Sequence, residues 1–306
     1  MTHHAPDMEG DSATRPLGRA LLRLLSVASV LVLVAGAQLF VLTDHTDRWF
    51  AWTIGAPLTA ATLGGFYWAS FVTVRLAMRE RTWAAARASL LGVLAFTILT
   101  MAATLIHLGT FHLSEGPASA VAAGWAWLIV YVTVPPAFLF LVVLVFARPD
   151  EPVPAPRSAA FPRWFRAYVL LLGAAFTAFG VILFLAPGAA EDFWPWALTA
   201  LTSRAVAAWL VGVGVTMVLT GWDGDRRRSH GPMVTAVVLG PLLLVAVARY
   251  GGDVDWGRPG AWAYVVAMLL VLAMGVAGLL LERRAAIATR ADERAARIRR
   301  SAKVQP

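Results

Sequence analysis

Cysteine is absent from the 306-residue sequence, and charged residues make up only 14% of it. Without cysteine the chain has no disulfide, iron–sulfur cluster, thiolate zinc site or cysteine nucleophile. Soluble domains are about 25% charged and about 45–50% apolar, whereas this chain is 59% hydrophobic, with a mean hydropathy of +0.68. The composition therefore predicts an integral membrane protein.

Enzyme signatures are missing as well. The sequence contains no G-x-S-x-G, H-E-x-x-H or Walker A motif, and no G-x-G-x-x-G after a strand. No ionisable residue lies in the middle of an apolar stretch, where proton relays and ion pathways usually place one. The sequence favours a non-enzymatic protein, although an enzyme stays open, and it predicts no cofactor.

Eight apolar stretches are each long enough to cross a bilayer core of about 30 Å as one helix. The predicted fold is all-α, with eight transmembrane helices near residues 20–42, 54–75, 87–108, 123–146, 164–186, 200–221, 231–249 and 260–281. An N-terminal tail (1–19) precedes them, a Pro-rich linker (148–162) separates the first four from the last four, and a basic tail (282–306) follows.

The distribution of positive charge predicts the orientation, because Lys- and Arg-rich loops stay in the cytoplasm. Of the 26 Lys and Arg residues, 22 lie near the two termini or near the connections that follow the second, fourth and sixth predicted helices. The four exceptions are Arg48, Arg204, Arg249 and Arg258. Both termini and the linker are therefore predicted to be cytoplasmic. The arginines adjoin apolar helices and do not form an aromatic-interleaved basic domain, so no nucleic-acid partner is expected.

The N-terminal apolar stretch has a second interpretation. Arg19 and Arg23, an apolar run and Ala35-Gly36-Ala37 also fit a secretory signal with a small-residue cleavage site. A signal core has about 7–15 apolar residues, and this run continues through Leu42. We therefore interpret it as the first transmembrane helix.

The two halves of the sequence resemble each other. Trp49-Phe50-Ala51-Trp52 matches Phe193-Trp194-Pro195-Trp196, and Leu58-Thr59 matches Leu201-Thr202. Small residues recur with the same spacing in both second helices, at Gly65 and Ala69 and at Ala208 and Gly212. These matches predict two tandem four-helix repeats, 20–147 and 163–281, of the same orientation. The alternative is that tryptophan-capped membrane helices simply look alike.

The C-terminal tail is rich in Ala and Arg and has few helix breakers. We expect it to continue as a basic cytoplasmic helix that is solvated or contacts anionic lipid headgroups.

Two proline-interrupted helices are candidates for a substrate site. Pro135-Pro136 and Pro241 lie in mid-span, where proline removes a backbone donor and frees carbonyl groups. Tyr131 and Thr133 lie nearby and are the candidate groups to meet polar cargo there, although ordinary kinking is the favoured explanation of the prolines.

Tryptophans at the ends of the helices have two interpretations. An aromatic belt at the lipid–water interface explains most of them. An outward-facing aromatic cleft is the functional alternative, and it makes Trp52 and Trp196 predicted binding residues.

The outer loops contain imidazole and carboxylate groups that suit a divalent cation. His107, His112, Asp44 and Asp47 are the candidate ligands, but their spacing matches no metal motif, so ordinary solvated loops are the favoured interpretation.

The function predicted from these features is binding or translocation of a small apolar or amphipathic, lipid-like molecule between the two repeats. The alternatives are a structural or accessory subunit of a cell-envelope complex, with a membrane-protein partner or a homo-oligomer, and an outer-face metal-dependent lipid or glycan enzyme. The preference for Arg over Lys and the Ala/Val/Leu-rich spans resemble multi-pass membrane proteins of high-GC bacteria. This resemblance implies a bacterial plasma membrane and names no activity; membrane lipids are the expected partners.

Overall fold

The structure is a computed structural model that describes residues 15–147, 159–190 and 193–302, with Ala190 and residues 288–302 as backbone only. Most of the predicted N-terminal tail and of the Pro-rich linker lies outside the described residues, as do Glu191 and Asp192. The described chain is helical and contains no strand. Its helices are α1 Arg19–Val41, α2 Thr46–Trp49, α3 Pro57–Glu80, α4 Trp83–Ile106, α5 Ala118–Ala147, α6 Arg163–Leu185, α7 Ala200–Asp223, α8 His230–Arg249 and α9 Pro259–Ala302.

The eight long helices run alternately between two ends of the molecule. One end, the arginine end, is held together by contacts that include Leu17 N to Arg81 O (2.8 Å) and Arg87 Nη2 to Asp223 Oδ1 (2.8 Å). At the other end, the tryptophan end, Arg249 Nη1 donates a hydrogen bond to the carbonyl of Phe40 (2.8 Å). The helices are therefore arranged antiparallel along the chain.

Seven helices in the described residues are long and apolar enough to cross a membrane, with mean hydropathies of 1.8 to 2.6. The exception is α3, which corresponds to the span predicted near 54–75. It has 24 residues, but it contains Thr, Ser, Gly, Tyr and Trp, which lower its hydropathy. Most of its side chains are buried among other helices, so little of its surface needs to be apolar.

Several helix limits differ from those predicted. The helix expected at 54–75 begins at Pro57, because proline fits the first turn, and ends before Arg81 in the left-handed conformation (φ 56°). The helix expected at 123–146 already begins at Ala118. The helix expected at 260–281 continues to Ala302. Helices α3 and α9 extend beyond their apolar parts, because hydropathy marks the lipid boundary and not the end of helical hydrogen bonding. The extra turn of α5, residues 118–122, is itself mostly apolar.

The core is built around α3 and α7. In the first half of the chain α1 packs on α3, and in the second half α6 packs on α7. The halves are joined by α4 on α7 and by α8 on α3. Glycine allows the close approach of α4 and α7: a Cβ on Gly92 would lie 2.5 Å from the carbonyl oxygen of Gly212.

At each end of the molecule, one backbone contact of the first half has a similar contact in the second half. At the arginine end, Phe161 N bonds to Gly224 O (2.8 Å) just as Leu17 N bonds to Arg81 O, and Gly224 is also left-handed (φ 66°). At the tryptophan end, His112 N bonds to Ala51 O (2.9 Å) and Asp255 N bonds to Pro195 O (2.8 Å).

Candidate functional site: a cavity between four helices of the first half

A cavity of about 240 Å³ lies between α1, α3, α4 and α5; we call it the lateral cavity. An apolar cavity of roughly 150 Å³ is enough to bind benzene, so this space accommodates a larger apolar group. Its lining is mainly aliphatic and aromatic and, among the described residues, contains no charged side chain. The lining residues are Leu24, Leu25, Ala28, Leu31, Val32, Val34, Ala35, Gln38, Phe50, Ala51, Tyr67, Ser70, Val74, Val93, Phe96, Thr97, Ala123, Ala126, Trp127, Val130, Tyr131, Val134 and Phe138.

Small side chains on the outer two helices leave this space open. Ala28 and Ala35 are seven residues apart on α1, so they lie on one face of the helix. Ala123 and Ala126 line the cavity from the facing side of α5. Because the alanine side chains reach less far than the neighbouring Leu and Val, α1 and α5 do not fill the gap between them.

The lateral cavity reaches the lipid-facing surface between α1 and α5. Leu31 and Val34 line it and are also 38% and 51% exposed on the outside of the helix bundle. At the tryptophan end Gln38 lines it, and its Nε2 donates to the carbonyl of Trp49 (2.8 Å). A ligand would thus have access from the side and a polar amide at one end.

A pair of tyrosine hydroxyls lies at the inner wall. Tyr67 on α3 and Tyr131 on α5 are both buried, and their hydroxyl oxygens are 2.8 Å apart in a hydrogen bond. The Trp127 ring lies against that of Tyr131, with centroids 4.4 Å apart, and its Nε1 donates to Thr104 Oγ1 (3.0 Å). That indole proton is therefore already used, whereas the tyrosine pair lines the cavity together with the hydroxyls of Ser70 and Thr97.

A second, smaller cavity of about 60 Å³, the central chamber, lies between α3, α4, α7, α8 and α9. Hydroxyl groups are frequent in its lining: Ser70, Thr73, Thr216, Thr220 and Thr235. Thr73 and Thr235 hydrogen-bond to each other (3.0 Å) across the two halves. Ser70, Val93 and Phe96 line both cavities, so they form the partition between them.

The proline-centred residues are distributed unevenly around the lateral cavity. Tyr131 lines it, whereas Thr133 is exposed and its Oγ1 donates to the carbonyl of Ile129 (2.7 Å). Pro135 is buried, Pro136 is exposed, and α5 continues as a helix through both. Prolines here leave α5 intact, so the ligand space is formed by alanines and not by a break in the helix.

The remaining predicted binding residues lie outside the cavity lining. Pro241 is exposed on α8, which stays helical. Trp52 is buried against Trp127, with ring centroids 4.9 Å apart, and so packs behind a residue that lines the lateral cavity. Trp196 is buried in the second half, and its Nε1 donates to Thr59 Oγ1 (2.9 Å). The structure therefore does not bring these residues together at one site.

The four candidate metal ligands, all within the described residues, do not contact one another. His107 Nε2 contacts Arg204 Nη1 (2.7 Å), and the two ring nitrogens of His112 contact Thr53 Oγ1 and the carbonyl of Phe50 (3.1 Å each). Asp44 and Asp47 are exposed, and Asp47 pairs with Arg48 (3.8 Å). The described residues contain no group of three or more His, Asp or Glu side chains placed to hold a metal ion.

His107 and Arg204 make a pH-dependent contact between the halves. Burial, and then the nearby Arg204 guanidinium, lower the pKa of His107 from its usual 6.5. The unfolded chain therefore binds more protons than the folded one as the pH falls through 6.5, and stability is lost in that range. We expect the melting temperature of the detergent-solubilised protein to fall from pH 7.5 to 5.5, and His107→Gln, which retains an acceptor for Arg204, to reduce this fall. An equal fall in both proteins would contradict the prediction.

Comparisons of the chain with protein families, with curated proteins and with solved structures find no match. The prolines of α5 point to Tyr131 in the sequence, but no sequence pattern indicates Tyr67, Gln38 or Phe96. The spacing of Ala28 and Ala35 on α1 was the one available signal for the cavity.

Proposed function

We propose that this multi-pass membrane protein binds a small apolar or amphipathic, lipid-like molecule in the lateral cavity. The observation that carries the proposal is an uncharged cavity of about 240 Å³ bordered by lipid-exposed residues of α1. Ligand sites are typically apolar concavities with a few placed polar groups, and here these are the Gln38 amide and the tyrosine pair. The sequence placed the ligand between the two repeats, but the central chamber there holds only about 60 Å³.

We further propose that eight helices span the membrane and form two tandem repeats. The length of α3, similar to that of α7, supports the eighth span. The matched backbone contacts of the two halves support the duplication. With Gly65 and Ala69 aligned on Ala208 and Gly212, Tyr67 corresponds to Leu210, which has no hydroxyl. The hydroxyl pair thus belongs to the first repeat alone, as expected for a group kept for binding and not for the fold.

The arginine distribution supports the arginine end, with both termini, as the cytoplasmic side of a bacterial plasma membrane. The tryptophan end then faces outward. In this orientation the lateral cavity extends from Gln38 near the outer surface past the tyrosine pair to Phe138 deeper in the membrane. An amphipathic molecule in the outer half of the bilayer would reach it directly between α1 and α5.

Native mass spectrometry of the protein released from mild detergent tests this function. Collision energy is raised until weakly held lipids are removed, and the mass that stays bound is identified. We expect one lipid-soluble species to be retained at a stoichiometry of about one. A bare protein would contradict the proposal, and a stoichiometric protein partner without a lipid would indicate an accessory subunit.

A further inference from the structure

The tyrosine pair in the lateral cavity has one hydroxyl proton more than its own hydrogen bond uses. Two hydroxyls carry two protons, and the bond between Tyr67 and Tyr131 takes one of them. Neither hydroxyl has another hydrogen-bond partner among the described residues. Leaving a buried donor unsatisfied is costly, so the pair is set up to donate to a ligand.

The depth of the pair limits the ligand to an uncharged polar group. Tyr67 is ten residues along α3 from Pro57, which places it roughly 15 Å below the tryptophan end. At that depth an unpaired charge is strongly disfavoured, and no described residue lining the cavity is charged. A phospholipid keeps its charged headgroup at the surface, so its ester carbonyls stay near the interface and do not reach the pair.

The walls around the pair favour a planar ring. Phe96 lies edge-on to both tyrosines, with ring centroids 6.1 Å from Tyr67 and 6.3 Å from Tyr131. Trp127 covers the outer side of Tyr131 and lies edge-on to Phe50, at 5.4 Å. Aromatic side chains interact favourably with another ring in stacked or edge-on geometry.

We propose that the lateral cavity binds a neutral, lipid-soluble ring carbonyl compound, of the quinone type, whose carbonyl oxygen accepts the spare tyrosine proton. The ring lies among Phe96, Trp127 and Phe50, and an apolar tail leaves between Leu31 and Val34 into the bilayer. This inference rests on the proposed lipid-binding function and adds the chemical class of the ligand.

Two probes with the same decyl tail test the inference: decylubiquinone, whose ring carries oxygen acceptors, and decylbenzene, whose ring carries none. Each is titrated into the purified protein in detergent by calorimetry. We expect the wild type to bind the quinone about tenfold more tightly. Tyr67→Phe and Tyr131→Phe each leave one free hydroxyl, so both single variants should retain much of this preference. The double variant loses both donors and should bind the two probes equally, while its affinity for decylbenzene is unchanged.

Tyr168→Phe is the matched control, because the Tyr168 hydroxyl donates to the Leu270 carbonyl (2.6 Å) outside the lateral cavity. It should keep the wild-type preference. The carbonyl infrared band of the bound quinone should lie at lower frequency in the wild type than in the double variant, since only the former hydrogen-bonds to it. Equal affinities of the wild type for both probes would overturn this inference but leave lipid binding intact. If neither probe binds and no lipid is retained in native mass spectrometry, the proposed function itself fails.

Discussion

Replacing Gly92 with alanine should destabilise the protein strongly, although alanine favours a helix more than glycine does by about 1 kcal/mol. The new Cβ would lie 2.5 Å from the carbonyl oxygen of Gly212 and would also meet the Thr216 hydroxyl. The Gly212 carbonyl is backbone and cannot rotate out of the way as the Thr216 side chain can, so α4 and α7 must separate at the joint between the two halves. Overpacking of this kind costs about 1–3 kcal/mol, so we expect a melting temperature about 2–10 °C lower in detergent.

Gly109→Ala provides the control for this prediction. Gly109 lies in the turn after α4, and a Cβ there would meet nothing within 4 Å. Its melting temperature should stay close to that of the wild type. Gly212→Ala should act like Gly92→Ala, since its Cβ would lie 2.9 Å from the Gly92 carbonyl oxygen. If Gly92→Ala matched Gly109→Ala in thermal stability, the close packing of α4 on α7 would be wrong.

Hydropathy and charge predict most of this architecture because they report on contact with lipid. The long helices on the outside of the bundle have apolar surfaces, and their sequences show it. Helix α3 is different: its neighbours are other helices, so Thr59, Thr62 and Ser70 are accommodated in its buried surface. Burial among other helices allows α3 to carry polar side chains, and these lower its hydropathy below that of a typical span. The ends of α3 are therefore harder to predict from hydropathy.

The candidate site could be predicted only in part. Tyr131 was found because proline marks irregular membrane helices, but the prolines do not form the cavity. Its partner Tyr67 lies in an ordinary helical stretch, and nothing in the sequence indicates that the two hydroxyls meet. The space itself depends on alanines of α1 and α5 facing each other at a distance, which is a property of helix packing and not of either helix alone.

Filling the lateral cavity should abolish ligand binding without unfolding the protein. Ala35→Phe places a large ring from α1 into the space that the ligand would occupy, and the existing cavity accommodates it with little displacement of α5. We expect native mass spectrometry to show loss of the retained lipid-soluble species, and decylubiquinone to bind at least about tenfold more weakly, a change of about 1.4 kcal/mol. The melting temperature should not fall, because apolar surface is gained inside the bundle.

Ala37→Phe on the same helix separates occupation of the cavity from a general effect of the larger side chain. Ala37 is exposed and does not line the lateral cavity, so its phenylalanine would face lipid. This variant should bind the quinone like the wild type. Loss of binding in both variants would mean that the surface of α1, and not the space behind it, holds the ligand, and retention in both would place the ligand elsewhere in the protein. Loss in Ala35→Phe alone locates the ligand between α1 and α5, because the two variants differ only in which side of α1 carries the ring.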